Sequence, residues 1–209
     1  MLKSLATATM AVGLMFSTVQ AAEPYQAGKD YVELTQPVKT ADPNKVEVVE
    51  MFGYPCPHCN SFEPMLKAWE KQKGEEIDFE RIPVVFGRSW EGPARSYYTA
   101  ELMGKVDETH QAMFDAIHVE RKRFRGAEDF ADFYESLGVD RDQFLKTYNS
   151  FAVNMKLNQG DSKLRSYQVD GVPTLIVNGK YRVTAGMAGS QADMLKVVDY
   201  LINKEEGDQ

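Results

Sequence analysis

The chain has 209 residues, of which 43% are hydrophobic and 26% are charged, and its formal net charge is −7 at pH 7. This acidic balance argues against nucleic acid or an anionic membrane surface as a main partner, because both would repel the protein. The one basic cluster is the run ERKRFRG at residues 120–126. Without a second basic stripe it is interpreted as a solvated helix end.

Residues 1–21 predict a secretory signal peptide. Lys3 gives a basic start, the run from Leu5 to Val19 is uncharged and largely apolar, and Ala21 suits a signal peptidase. The run is too short for a membrane span, so an uncleaved anchor is the less favoured alternative. Because the segment carries one lysine and no acid, its removal would leave an exported chain of 188 residues with net charge −8.

The first part of the mature chain predicts strands and one helix. Residues 30–34 and 45–52 are rich in β-branched residues and predict two strands, and residues 77–86 predict another. After Pro55 a helix is predicted, because apolar residues recur at helical spacing. Its apolar face consists of Phe62, Met65, Leu66 and Trp69.

The middle of the chain changes to a period of 3.6 residues, which predicts a helical insertion from about residue 88 to about residue 168. Four apolar clusters have this spacing and are interpreted as core rather than as a cofactor site. They are Tyr97, Tyr98 and Leu102; Met113, Phe114 and Ile117; Phe130, Phe133, Tyr134 and Leu137; and Phe144, Leu145 and Tyr148.

The last part of the chain returns to strands and ends in a helix. Residues 173–183, PTLIVNGKYRV, predict a hairpin that turns at Asn178-Gly179, since both residues accept a positive φ. The final helix is predicted to begin at Ser190, with Asp193 three residues later in a capping-box-like position. The order of elements predicts an α/β domain interrupted by an all-α one.

The chain has two cysteines, Cys56 and Cys59, in the sequence CPHC. A structural disulfide here would close a very small loop and remove little entropy from the unfolded chain. Zinc needs four ligands, and Cys56, His58 and Cys59 in one turn cannot surround a tetrahedral ion. His110 and His118 are interpreted as packing or surface residues. A redox-active pair is therefore favoured, with no metal and no bound cofactor.

The position of the pair after a strand and before a helix predicts unequal cysteines. Cys56 lies at the helix N-terminus, where free N–H groups, the helix dipole and His58 favour a thiolate. Cys59, one turn later, is shielded and keeps a normal or raised pKa. Cys56 is thus expected to be the attacked and leaving sulfur, and Cys59 the resolving one.

Several segments resemble the DsbA family, the periplasmic thiol:disulfide oxidoreductases of Gram-negative bacteria, in which a strongly lowered cysteine pKa is already known. They are CPHC after an apolar strand, FEP at 62–64 and GVPTLIVNGKY at 171–181. The central helices match in pattern only. The resemblance implies an α/β thioredoxin fold interrupted by an all-α helical insertion domain. The expected domains are residues 22–86, the insertion 87–168, and residues 169–209.

The resemblance also implies roles for three residues outside the cysteine motif. Pro173 corresponds to a cis-proline that faces the cysteines and binds client backbone, and Val172 contributes its backbone to the same contact. Glu50 resembles a buried acid beneath the site that passes protons to the inner cysteine. Its apolar neighbours favour burial, and burial would raise its pKa.

The expected function is that of a monomeric, periplasmic dithiol oxidase. It would donate a Cys56–Cys59 disulfide to reduced, unfolded exported proteins, and a DsbB-like quinone-linked membrane oxidase would reoxidise it. A disulfide isomerase or reductase of the same fold is the alternative within this class. A metal-handling or chaperone-like binding module is the alternative from another class, and its activity would survive the Cys56→Ser substitution.

Overall fold

The computed structural model describes residues 23–207. The predicted signal peptide, residues 1–21, lies outside this range. Within the described range no helix combines the length and the apolar character that crossing a bilayer requires.

A five-stranded mixed sheet forms the centre of the fold. Its strands are β1 Val32–Glu33, β2 Val46–Phe52, β3 Ile77–Pro83, β4 Thr174–Val177 and β5 Tyr181–Thr184, in the spatial order β1-β5-β4-β2-β3. The central strand β2 pairs in parallel with β3 and antiparallel with β4. All seven residues of β2 are buried, as expected for a strand that is covered on both faces.

Residues 23–207 form eight α-helices. They are α1 Pro57–Lys73, α2 Arg88–Leu102, α3 Val106–His118, α4 Ala127–Ser136, α5 Arg141–Tyr148, α6 Phe151–Ser166, α7 Ala185–Ala188 and α8 Gln191–Gly207. Helices α2 to α6 follow one another between β3 and β4. The predicted order, an α/β sheet with a helical segment inserted in it, is confirmed.

Alternation along β2 separates two apolar layers. Val46 and Val48 pack against α1 and α8, in a cluster with Phe62 and Leu66. Val49 and Met51 point to the opposite face, in a cluster with Tyr167 and Ile176. Because side chains of a strand alternate with period two, Glu50 shares the face of Val48 and lies under α1.

The helical insertion has its own aromatic core. Phe52 and Tyr54, at the end of β2, belong to the same cluster as Cys56, Cys59 and the buried residues of α2 to α5. The cysteine motif therefore lies where the sheet domain meets the insertion.

The structure corrects three predicted elements. The first strand is limited to Val32–Glu33, because this edge segment pairs only with β5, and β3 ends at Pro83 rather than at residue 86. The insertion contains five helices rather than the four that the apolar clusters marked. The fifth, α6, buries only Val153 and Gly160 of its 16 residues, so its sequence carries little apolar periodicity.

The hairpin and the last helix match their predictions. Asn178 and Gly179 have φ angles of 50° and 62° between β4 and β5. The hydroxyl of Ser190 accepts the backbone N–H of Asp193 at 3.0 Å, which caps α8.

Candidate active site

Cys56 occupies the N-cap position of α1. Its Sγ accepts the backbone N–H of Cys59 at 3.3 Å, in the place that a serine or aspartate oxygen takes in other helices. Pro57 follows at the first helical position, where a missing N–H costs nothing. The sequence CPHC thus begins the helix and aims its free N–H groups at one sulfur.

The two sulfurs have opposite pKa shifts. Hydrogen bonding by the Cys59 thiol, and then by the backbone N–H groups of Cys59 and His58, lowers the pKa of Cys56 to about 6, although burial opposes this. Burial, followed by its hydrogen bond to Cys56, raises the pKa of Cys59 far above the ordinary thiol value. At neutral pH Cys56 is therefore a thiolate and Cys59 a thiol.

His58 acts on Cys56 differently from the sequence-based expectation. That expectation relied on the imidazole, but the backbone N–H of His58 lowers the pKa of Cys56 more than the charge of its ring does. The side chain is exposed. The backbone carbonyl oxygen of His58 accepts a hydrogen bond from the Gln191 side chain at 2.7 Å, and this bond joins α8 to the first turn of α1.

Val172 and Pro173 lie beside Cys56, although 116 positions separate Val172 from Cys56 in the chain. The peptide bond between them is cis, as the resemblance implied. Cys56 Sγ lies 3.4 Å from the Val172 carbonyl oxygen, to which it donates a hydrogen bond when it is protonated. Next to this contact is an open groove of about 390 Å³, whose walls include His58, Pro173 and Gln191.

Glu50 is completely buried beneath the motif, as predicted. It stands opposite Arg81 in the register of β2 and β3, and Arg81 Nε lies 3.3 Å from Glu50 Oε2. Burial raises the pKa of Glu50 to about 8 even though the Arg81 charge opposes this. The charge of Glu50 in turn contributes to the raised pKa of Cys59, so the two groups share one interior.

The sequence analysis missed a buried charge network next to Glu50. Arg81 Nη2 contacts Glu63 Oε1 at 3.3 Å and Glu70 Oε2 at 2.7 Å, and His110 Nε2 lies 3.4 Å from Glu63 Oε2. A sequence signal for Glu63 did exist. It is four residues after Cys59 and three before Leu66, and therefore lies on the buried face of α1.

No group of three or more His, Cys, Asp or Glu side chains between residues 23 and 207 has the arrangement of a metal site. Cys56 and Cys59 are both buried and are not joined to each other.

Comparison with known proteins places the chain in one family. The DSBA-like thioredoxin domain matches residues 75–200. DsbA of Pseudomonas aeruginosa is 44% identical over 199 residues, which cover 95% of this chain and 94% of the relative. Its crystal structure superposes with a TM-score of 0.86 at 45% identity, covering 90% of this chain and 97% of that one.

A more distant structure agrees. DsbA from Xylella fastidiosa has a TM-score of 0.82 at 35% identity, covering 88% of this chain and 98% of that one. The sheet with its inserted helices is therefore a thioredoxin fold interrupted by a helical insertion. The chain belongs to the DsbA family and is a thiol:disulfide oxidoreductase that carries the cysteine pair Cys56 and Cys59.

Proposed function

We propose that the protein is a periplasmic dithiol oxidase that donates a Cys56–Cys59 disulfide to reduced exported proteins. The observation that carries this proposal is the inequality of the two sulfurs, with the pKa of Cys56 lowered to about 6 and that of Cys59 raised. A pKa below the ambient pH stabilises the reduced protein as a thiolate. Each pKa unit corresponds to about 1.4 kcal/mol, or about 30 mV for a two-electron couple, so the disulfide is given up readily.

The first step is attack by a client thiolate on the sulfur of Cys56. The bond between the two cysteines breaks, Cys59 leaves with the electron pair, and a mixed disulfide joins the client to Cys56. A thiolate at the buried position of Cys59 is unfavourable and needs a proton. Glu50 has a pKa of about 8 and is protonated at neutral pH, so it supplies that proton.

The second step releases the oxidised client. A second client thiolate attacks the client sulfur of the mixed disulfide, and Cys56 leaves as a stabilised thiolate. The client has then lost two electrons and gained a disulfide, and the protein holds the dithiol Cys56 and Cys59. No bound cofactor takes part in this exchange.

Client binding is assigned to Val172, Pro173 and the groove beside them. The Val172 carbonyl oxygen is within 3.4 Å of Cys56 Sγ, so an extended client strand held there would bring its cysteine to the reactive sulfur. His58 lies at the rim of the same groove. This arrangement suits backbone recognition, which accepts many client sequences.

The compartment and the partners follow from the signal peptide and the family. Secretion into the periplasm brings the protein to newly exported, reduced chains. A DsbB-like quinone-linked membrane oxidase would accept the electrons and restore the disulfide. The protein is expected to act as a monomer.

The test uses the oxidised mature protein and a reduced peptide with two cysteines. The expected result is stoichiometric formation of the peptide disulfide, measured by mass spectrometry, with loss of the protein disulfide. The Cys56→Ser and Cys59→Ser variants should form none, because a chain with one cysteine cannot hold the disulfide that is transferred. Binding of the peptide that survives Cys56→Ser, together with no disulfide transfer by the wild type, would support a binding module. Faster reshuffling of a scrambled substrate than oxidation of a reduced one would support an isomerase.

A further inference from the structure

His110, on helix α3 of the insertion, lies in the interior next to the active-site helix. It is 5% exposed, its Nδ1 is 2.8 Å from the Tyr54 hydroxyl and its Nε2 is 3.4 Å from Glu63 Oε2. The Nε2–Oε2 separation is within ion-pair distance, and among residues 23–207 neither of these two buried atoms makes a well-aligned hydrogen bond. Aromatic rings, including those of Phe52 and Phe114, pack edge-on around the imidazole.

These contacts fix the tautomer of His110. A carboxylate only accepts protons from its neighbours, so Nε2 is the ring nitrogen that carries the proton and faces Glu63. Nδ1 is then the acceptor, and the Tyr54 hydroxyl donates to it. Burial lowers the pKa of His110, which keeps the ring neutral. Burial alone would raise the pKa of Glu63, but His110 and Arg81 leave it lowered, so Glu63 is a carboxylate.

The ionised Glu63 competes with Glu50 for one guanidinium. Arg81 directs Nη2 to both Glu63 and Glu70, and only its Nε faces Glu50. The negative charge of Glu63 also repels a negative charge on Glu50. The protonation of Glu50 therefore depends on a carboxylate whose own partner comes from the insertion.

We propose that His110 is a positioning residue for disulfide exchange: it holds Glu63 on Arg81 and thereby leaves Glu50 available to exchange a proton with Cys59. The inference rests on the proposed proton-carrying role of Glu50. It assigns to the helical insertion a part in the chemistry of the sheet domain, through one buried side chain of α3.

The titration of Glu50 can be distinguished from that of its neighbours. Other titratable and charged groups face Glu50 and His110 from α1, α2, β3 and the loop before α1. They are Cys59, Glu63, Lys67, Glu70, Tyr97, Arg81 and Tyr54. Burial raises the pKa values of Cys59, Tyr97 and Tyr54 far enough to keep all three protonated at neutral pH. An inflection near pH 8 is thus expected to report Glu50.

The experiment isolates the proton transfer between Cys59 and Glu50. A glutathione mixed disulfide is prepared on Cys56 of the mature protein, and release of glutathione is followed from about pH 6 to about pH 9. In this reaction the Glu50 carboxylate takes the proton of Cys59, the Cys59 thiolate attacks Cys56 Sγ, and glutathione leaves as a thiolate. The wild-type rate should inflect near pH 8.

Removing the His110 donor should move this inflection. In His110→Leu the buried Glu63 loses its donor and takes up a proton, so it no longer repels Glu50 or competes for Arg81. The pKa of Glu50 then falls, and the inflection should move to lower pH by roughly one unit. Glu63→Gln neutralises the same carboxylate directly and should give the same direction, which keeps the test decisive if His110→Leu does not fold.

Two variants separate positioning from packing. His110→Gln retains an N–H that can donate to Glu63, and it should restore the wild-type inflection. Met113→Ala, on the same helix and completely buried, disturbs the core without contacting Glu63 and should leave the inflection unchanged. A wild-type inflection in both His110→Leu and Glu63→Gln would overturn the proposal. A shift of equal size in Met113→Ala would also overturn it.

Glu50→Gln distinguishes the failure of this inference from that of the proposed role of Glu50. If Glu50 carries the proton, the inflection disappears in Glu50→Gln, and adding His110→Leu changes the pH dependence no further. An inflection that persists in Glu50→Gln contradicts the role of Glu50 itself. An inflection lost in Glu50→Gln but unmoved in His110→Leu and Glu63→Gln contradicts only the inference about His110.

Discussion

Glu50 and Arg81 face each other across the parallel pair β2 and β3, and the guanidinium that stands 3.3 Å from Glu50 also binds two carboxylates of α1. One positive charge thus serves three acids, Glu50, Glu63 and Glu70. Glu50 is the most deeply buried of the three. Among the described residues, neither of its carboxylate oxygens makes a well-aligned hydrogen bond. This is why its pKa is raised in spite of an adjacent arginine.

Replacing Arg81 should be strongly destabilising. Arg81→Met would leave buried carboxylates without their positive partner, and breaking such a buried network by removing one member costs roughly 3–5 kcal/mol. Guanidinium unfolding of the reduced protein at neutral pH measures the loss. The matched control is Arg141→Met, because Arg141 pairs with the exposed acids Glu128 and Asp132. The control should change stability far less, and an equal loss in both variants would contradict the buried-network interpretation.

Replacing Glu50 should change how stability depends on pH. The folded-state pKa of about 8 is raised from 4.5, so Glu50 contributes stability that is fully present below pH 4.5 and is lost as the pH rises through about 8. Glu50→Gln removes this dependence. The stability of the variant relative to wild type should therefore increase with pH between these limits, by at most about 1.4 kcal/mol per pH unit. Unfolding of both proteins across this range gives the difference, and a constant difference would count against a raised pKa.

Cys56 should titrate as an acidic thiol. The ultraviolet absorbance of the thiolate in the reduced protein should rise with a midpoint near pH 6, and the transition should be missing in Cys56→Ser. Cys59→Ala should move the midpoint upward, because hydrogen bonding by the Cys59 thiol is the largest cause of the lowered pKa. A midpoint near the ordinary value of about 8.5 would show that neither the Cys59 thiol nor the helix N-terminus lowers the pKa of this cysteine.

The same shift predicts a pH-dependent stability of the reduced protein. The pKa of Cys56 falls from 9.0 to about 6 on folding, so its contribution is fully present above pH 9.0 and is lost as the pH falls through about 6. The reduced wild type should therefore gain stability relative to Cys56→Ser as the pH rises between these values. Denaturant unfolding under reducing conditions measures both proteins, and parallel curves would contradict the prediction.

The hairpin turn should not tolerate a side chain at Gly179. This residue has a φ of 62°, and a Cβ there would lie 2.0 Å from the Val38 carbonyl oxygen, which belongs to a backbone segment that cannot rotate away. Gly179→Ala should lower the free energy of unfolding by about 2 kcal/mol. Gly126→Ala is the control, since a Cβ at that position meets no atom within 4 Å. Similar stabilities of the two variants would show that the hairpin can relax around the new methyl group.

The sequence by itself determined the features that depend on local order. Apolar periodicity located the strands and four of the five inserted helices, and Asn178-Gly179 located the hairpin turn. The place of Cys56 between a strand and a helix predicted its acidity, because the free N–H groups of a helix N-terminus belong to the next few residues of the same chain. The apolar neighbours of Glu50 correctly indicated that it is buried.

Only the tertiary structure decided which distant residues surround the site. Val172, which lies just before β4, reaches Cys56. Arg81, Glu63 and His110 form one network because β3, α1 and α3 pack together beneath the motif. Local patterns cannot identify such partners, since a charged residue in a strand or a histidine in a helix has the same sequence signature whether it is solvated or paired. Its environment depends on long-range packing, and here that packing sets the proton affinity of Glu50.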